Sequence, residues 1–384
     1  MMLLFFKTNM YMSKLLSQGG YGCVFYPGLD CKGRTIVDKT IATKVQIKNS
    51  TSDNEIKIGR MLTNQSGYEL FFLPVISVCD INIRRAETKE LSKCKIVKDN
   101  KNKYVAMSMK YLSNQEFVDI VRYSDARMII QTFIESYKYL LMSIEKLSNL
   151  NIVHYDLKLE NIIFNGTSYN PRIIDFGISI HIDGLNKNNM KQYFYTYAPS
   201  YYIWCLDIII INFLLHETDT ELTELDANMI ANVYVSSNRA LSMCSPEFVD
   251  QYLDLCIKQI NTYVGRPRDE VIQELLQYSK TWDNYSLSII YLKLIGILFP
   301  NRDVRNTFIV LMSQILLTNI HPVPSRRLTI NDTMVQFSNI FYIEGNVDSY
   351  LSLSEQIIDN KKTAASDIEQ ESSTLKKIKS SFNS

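Results

Sequence analysis

The sequence predicts an α+β fold in two lobes, a small, mostly antiparallel β lobe carrying one helix and then a larger, mainly helical lobe. Length is the first reason, since 384 residues exceed what a single hydrophobic core normally serves. The second is a series of short β-rich runs across residues 14–112, and the third is a change near residue 125 to apolar residues spaced three and four apart.

In the first region, KLLSQGGYGCVFYPG, TIATKVQIK, FFLPVISVCDINI and KYVAMSMKYL alternate with clusters of Gly, Pro, Asn and Lys, as strands separated by turns do. STSDNEIKIGRML breaks the series with Ser and Asp suited to an N-cap and apolar Ile56, Ile58, Met61 and Leu62, which predicts one helix. Further on, Ile130, Phe133, Ile134, Tyr137, Leu140, Leu141, Ile144 and Leu147 mark one buried face of a long helix. Helical patterns continue at 204–215, 268–281, 286–299 and 305–320. The runs at 204–215 and 289–299 are interrupted by Asp207, Asn212 and Lys293, and both fall short of the roughly 20 residues a membrane span needs, so they read as core helices. From about residue 346 to 384 the composition turns to Ser, Lys, Asp, Glu and Gln, and a disordered polar tail is expected. The opening MMLLFFKTNMYM lacks a basic leader and a cleavage site and reads as an N-terminal extension over 1–15, with translation starting at Met1 or at Met12.

Composition excludes several classes. With 46% hydrophobic and 21% charged residues the chain has matter for a core, and a formal charge of +1 gives no reason to expect a nucleic-acid or anionic-membrane surface. The seven cysteines, Cys23, Cys31, Cys79, Cys94, Cys205, Cys244 and Cys256, form no C-x-x-C pair and fit reduced, intracellular thiols. His154, His181, His216 and His321 lie too far apart for the paired spacing of a zinc site.

The chemistry-bearing stretches lie between these elements. In LSQGGYGCV, Leu16 to Val24, Gly19 and Gly22 free the backbone to close over phosphates, although glycines in a hairpin also serve the turn alone. Lys44 in IATKV sits among apolar Ile41, Ala42 and Val45, where its head group needs an anionic partner or water, and Glu55 can supply the partner. HYDLKLEN interrupts two apolar runs with a polar cluster. There Asp156 can accept a hydroxyl proton, Lys158 can neutralise a transferring phosphoryl group and Asn161 can hold a metal through its oxygen. In RIIDFG, Asp175 is a second hard-oxygen ligand and Gly177 permits a sharp turn.

Together these stretches resemble the eukaryotic-type protein kinases of the serine/threonine class. SQGGYGCV is similar to their glycine-rich loop, IATK to their Val-Ala-Ile-Lys strand, HYDLKLEN to their catalytic loop and IDFG to their metal-binding loop. The resemblance covers residues 16–340 and implies a nucleotide-binding lobe over 16–112 and a catalytic lobe over 113–345. It implies that Leu16, Ser17, Gln18, Gly19, Gly20, Tyr21, Gly22, Cys23, Val24 and Ala42 line ATP, and that Lys44 contacts its α- and β-phosphates and pairs with Glu55. Asp156 and Lys158 would be catalytic, Asn161 and Asp175 would hold Mg²⁺, and the acceptor would be a protein hydroxyl, with Lys158 marking the serine/threonine class. VPSRRLTINDTM resembles the Pro-x-x-Arg segment near the domain's end, with Arg327 as its arginine. Abundant Asn, Ile, Lys and Tyr, with APSYYIWCLDI, is similar to the divergent kinases of large cytoplasmic DNA viruses, which implies host cytoplasm or virion.

The pattern also departs from the family. Ser17 replaces a loop glycine, and Tyr155 replaces the arginine before the catalytic Asp, so switching through an activation-loop phosphate is not expected. Only eleven positions separate Lys44 from Glu55. Ser200 in YAPS replaces a glutamate and leaves Arg327 without its usual ion-pair partner, while Trp204 and Asp207 lack the usual Asp-x-Trp order. Residues 217–285 match nothing in the family and read as a helical insertion. These departures keep two alternatives in view, a pseudokinase scaffold binding protein partners and a kinase-fold enzyme acting on a small-molecule hydroxyl.

Overall fold

The computed structural model describes residues 12–19, 22–86, 89–98, 101–166, 170–218, 221–300, 307–343 and 347–383. Gly20, Tyr21 and residues 1–11 lie outside the described residues, while Lys14 and Leu15 of the expected 1–15 extension belong to the first strand. The chain divides into two compact units, Met1–Ser113 with Ile174–Gly177, and Asn114–Ile173 with Ile178–Ser384.

The first unit is built on a five-stranded antiparallel sheet. Its strands are β1 (Lys14–Gln18), β2 (Gly22–Tyr26), β3 (Ile41–Ile47), β4 (Ser77–Ile81) and β5 (Tyr104–Lys110), in the order β1-β2-β3-β5-β4. Helix α1 (Ser50–Thr63) follows β3. Side chains alternate across β3 with a period of two, so Val45 joins Cys23, Phe25, Leu29 and Tyr104 in one apolar cluster while Ala42 and Lys44 belong to the other face. The cap of α1 is Asn49, one residue before the stretch singled out from sequence. Its side-chain oxygen accepts the Ser52 N–H while Ser52 Oγ accepts the Asn49 N–H, closing a reciprocal cap. Glu55, Ile58, Gly59 and Leu62 then form the buried stripe.

Two disulfides, Cys23–Cys94 and Cys31–Cys79, overturn the expectation that all seven cysteines are reduced. Their partners stand 71 and 48 residues apart, so the pairing comes from the folded sheet and its flanking turns and leaves no local spacing to read. Cys205, Cys244 and Cys256 take no part in these disulfides.

The second unit opens with β6 (Asn114–Gln115), α2 (Phe117–Tyr123) and the long α3 (Ala126–Asn149), capped by Asp125 at the Met128 N–H. Ile130, Phe133, Tyr137, Leu140, Leu141, Ile144 and Leu147 form its buried face, as their spacing predicts, while Ile134 is only half-buried at its edge. Short strands β7 (Ile152–Val153), β8 (Ile162–Asn165), β9 (Pro171–Ile173) and β10 (Ile180–His181) come after it; β8 lies between β6 and β9, and β7 pairs with β10. Helices α4 (Met190–Tyr193) and α5 (Leu206–His216) come next. The 217–285 region supplies α6 (Glu224–Ser237), α7 (Pro246–Asn261), α8 (Arg268–Leu276) and the start of α9 (Trp282–Leu298). Then come α10 (Thr307–Asn319) and α11 (Ile330–Ile343). Helix α5 up to Leu215 and α9 up to Leu292 are buried on all sides, as a core helix without an amphipathic pattern must be. No described helix is long and apolar enough to cross a membrane.

The expected disordered tail is instead α12 (Val347–Ser380), which packs on α2, α3 and α9. Leu353, Ile357, Ala364, Ala365, Ile368 and Leu375 recur at helical spacing and are all buried. Each leucine or isoleucine so covered contributes about 1.5–3 kcal/mol, enough to hold a helix whose average composition is polar. Asn360 Nδ2 donates to the Ile297 carbonyl at 2.7 Å, and Arg122 meets Glu369 at 2.7 Å.

Candidate active site

In the first unit, β3 presents Lys44 to the face covered by α1. Its Nζ lies 3.0 and 2.8 Å from the two Glu55 oxygens and 3.0 Å from Asp175 Oδ1. Burial alone would depress the ammonium pKa, and the Asp175 and Glu55 carboxylates overcome it and hold the lysine charged. A separation of eleven positions suffices between Lys44 and Glu55 because α1 begins at Ser50 and completes its first turn by Glu55. Asp175 has φ 64, a left-handed conformation that costs a non-glycine residue free energy. The Gly177 carbonyl accepts from Asn54 Nδ2 at 3.0 Å, and a Cβ there would meet Thr51 Cγ2 at 2.9 Å, so a larger residue would have to displace that side chain of α1.

The glycine-rich stretch is a hairpin with a bulge at Leu16, between Leu15 and Ser17, and the Gly19 N–H bonds the Gly22 carbonyl at 2.9 Å. Gly22 is required for packing, since a Cβ there would stand 3.0 Å from Gln46 Cβ and from the Val45 carbonyl. Gly19 has open space around it. Val24 pairs with Lys44 in the ladder, and Ala42 is buried on the Lys44 face of β3. Gln18 accepts the Lys95 N–H at 3.2 Å. Cys23 differs from expectation, because its side chain is committed to Cys94 and the sheet core and only its backbone can face a ligand.

In the second unit, the loop after β7 carries Asp156, Lys158 and Asn161. Lys158 Nζ lies 3.1 and 3.0 Å from the Asp156 oxygens, and Asn161 Nδ2 donates to the Asp156 carbonyl at 2.8 Å and to Oδ2 at 3.0 Å. The Tyr201 hydroxyl donates to Oδ1, and the Lys379 ammonium of α12 meets Oδ2. Burial works to raise the Asp156 carboxyl; the Lys379 and Lys158 charges and the Lys379 and Tyr201 hydrogen bonds overcome it and hold it far below the usual range. Tyr201 is pushed up by burial and by the Asp156 charge, so it remains a donor.

Tyr155 has φ 70, an outlier for a bulky residue, and several bonds hold it there. Asp283 of α9 accepts the His154 N–H at 2.7 Å and the Tyr155 N–H at 3.2 Å. Trp204 Nε1 donates to the Tyr155 carbonyl at 2.7 Å, and Asn212 Nδ2 donates to its hydroxyl at 3.1 Å. The residue standing where an arginine was expected is therefore a buried packing anchor.

Sequence reading missed Asp283, Tyr201, Asn212 and Lys379. A signal existed for Asp283, since Asp283 and Tyr285 form an Asp-x-aromatic order, but they lie inside the 217–285 stretch that reads as an insertion. Tyr201 and Lys379 carried no pattern. Asp207 has another task. Its oxygens lie 2.7 and 3.0 Å from Arg327 Nη2 and Nη1, and Trp282 Nε1 donates to Oδ2 at 3.0 Å. Arg327, left without a partner by Ser200, thus finds its carboxylate seven residues later.

The sequence profile of the protein kinase domain matches residues 11–218. A probable serine/threonine-protein kinase of Dictyostelium discoideum, mkcE, is 30% identical over 147 residues, which cover 33% of this chain. The match spans 20% of that relative's length. With the profile covering more than half of the sequence, and the five-stranded antiparallel sheet followed by a helical unit, the chain belongs to the protein kinase family.

Proposed function

We propose that the chain is an ATP- and Mg²⁺-dependent serine/threonine protein kinase, with Asp156 as proton acceptor. The observation that carries this reading is the Asp156 carboxylate held by Lys158 and Asn161 on a strained loop that Asp283 fixes from beneath. Asp156 receives the proton of the acceptor hydroxyl as its oxygen bonds to the γ-phosphorus and ADP leaves. Lys158 neutralises charge on the transferring group, and Lys44, fixed by Glu55, binds the α- and β-phosphates. Asn161 spends its amide nitrogen on Asp156, which leaves Oδ1 as the atom it can offer a cation, and the Asp175 carboxylate is a second oxygen donor. Mg²⁺ takes most of its remaining ligands from phosphate and water, so two protein oxygens are enough. When bound, the cation neutralises phosphate charge. Lys158, two positions after Asp156, supports the serine/threonine class, as does the name of the Dictyostelium relative.

Transfer of labelled phosphate from ATP to generic protein acceptors, with identification of the modified residue type, tests this. Asp156→Asn and Lys44→Met are each expected to lower transfer by at least about 10²-fold. Transfer unchanged by Asp156→Asn, or label found only on tyrosine, would overturn it. A second reading, a scaffold that binds protein partners without transfer, is favoured by Lys379 lying on Asp156. It requires that no variant, including one lacking the Lys379 ammonium, transfers phosphate.

A further inference from the structure

The body of α12 is held by its apolar stripe, which ends at Leu375. The last residues of the chain, Lys376 to Phe382, make contact in another way. Lys377, Ser380 and Ser381 are exposed, while Lys379 reaches the Asp156 carboxylate with both side chains largely covered. Three residues on, the Phe382 ring stacks on Trp204 at 5.7 Å and meets Tyr201 edge-on at 5.3 Å. Phe382 therefore touches the two aromatic residues that bond Asp156 and the Tyr155 carbonyl.

The surface under this segment is acidic where the segment is basic. Lys376 lines a cavity of about 240 Å³ together with Glu116, Phe117, Glu160 and Glu369. Burial pushes the Glu160 carboxyl up, while the Lys158 and Lys376 ammonium groups draw it back. Lys379 thus meets Asp156, and Lys376 stands by Glu160 and Glu116.

A proton acceptor must come within hydrogen-bond reach of the hydroxyl it serves, about 2.6–3.2 Å. At Asp156, Oδ1 takes the Tyr201 hydroxyl and Lys158, while Oδ2 takes Lys158, Asn161 and Lys379. Of these, only Lys379 comes from the C-terminal segment. An ammonium group there takes the acceptor's position and makes the carboxylate a weaker base.

We propose that the surface around Asp156 binds a lysine-rich peptide segment with an aromatic residue three positions after the lysine, and that residues 376–382 are its resident ligand, blocking phosphotransfer until an acceptor of the same chemistry displaces them. The blocking rests on the kinase reading above, whereas the docking does not.

The test uses the full chain and its K379A/F382A double variant, neither residue of which takes part in transfer. A fluorescent peptide of sequence ESSTLKKIKSSFNS, matching residues 371–384, is titrated onto each protein and monitored by anisotropy. The variant is expected to bind at least about tenfold more tightly than the native chain, because its own segment no longer competes. A peptide carrying alanine in place of Lys379 and Phe382 is expected to lose that binding. Equal binding by both proteins, or binding by neither, overturns the docking. In parallel, transfer to a lysine-rich acceptor peptide is expected to rise at least tenfold in the variant, and to fall again when the native-sequence peptide is added. Unchanged transfer in an active protein overturns the block and leaves the kinase reading standing. Tighter peptide binding with no transfer from either protein supports the docking and counts against the kinase reading.

Discussion

Arg327 and Asp207 form a buried pair whose cost of disruption can be worked from its contacts. Both side chains are 1% exposed, the contact is two-pronged at 2.7 and 3.0 Å, and Trp282 Nε1 adds a third donor to the carboxylate. Arg327→Met strands the Asp207 charge in the core with only the indole N–H to solvate it. Removing one partner of such a pair costs about 3–5 kcal/mol. Asp207→Asn costs less, because the guanidinium keeps the His321 carbonyl at 2.9 Å and Thr281 Oγ1 at 3.3 Å. The double variant is expected to lose at least about 2 kcal/mol less than the sum of the singles, since neither remaining group is then an unpaired charge. Urea unfolding monitored by tryptophan fluorescence is the assay. The only two tryptophans, Trp204 and Trp282, both lie in the second unit, so the signal reports this unit alone. A loss below about 1 kcal/mol for Arg327→Met, or strict additivity in the double variant, would refute the reasoning.

Asp283→Ala leaves the His154 and Tyr155 N–H groups buried without their acceptor, at about 1–3 kcal/mol each, and should lower transfer more than ATP affinity; Asp283→Asn should recover part of both. Asp156 is an acid whose folded pKa is depressed, so its contribution to stability is present above the ordinary carboxylate pKa of about 4 and is lost as pH falls from there toward the folded value. Acid titration of tryptophan fluorescence should accordingly flatten below about pH 4 in Asp156→Asn, and an unchanged curve would contradict the assignment. Reducing Cys23–Cys94, which closes a span of 71 residues, should destabilise the first unit by about 2–4 kcal/mol. Hydrogen exchange should then quicken in β2 and β3 and stay constant in α9, and unchanged exchange in β2 would count against the bridge.

Much of this structure is legible in the residues themselves. The period of two across 41–47 places Lys44 and Val45 on opposite faces, and the three-and-four spacing from Ile130 to Leu147 gives the buried side of α3. The features that escape reading do so for physical causes. Residues 346–384 look polar on average, yet Leu353, Ile357, Ala364, Ile368 and Leu375 keep helical register, and register rather than composition decides whether a helix can dock. The cysteines pair through sheet geometry at separations that no local motif encodes. Asp283 lies inside the 217–285 stretch that resembles nothing in the family, 129 residues from the His154 N–H it accepts, so no local motif marks its role. Lys379 meets Asp156 only because a 34-residue helix carries it back across the unit, a contact written in length and packing together.

The placement of Asp283, Arg327 and α12 bears on where this protein can be cut. A fragment ending at residue 218, where the family profile stops, keeps every catalytic-loop side chain but discards the carboxylate beneath them, the partner of Asp207 and the helix covering α2 and α3. Its tyrosine at 155 would keep Trp204 and Asn212 but lose the acceptor of its N–H, and the oily sides of α3 and α5 would face water. On the ribosome the same order holds, so the catalytic loop is made well before the carboxylate that holds its backbone.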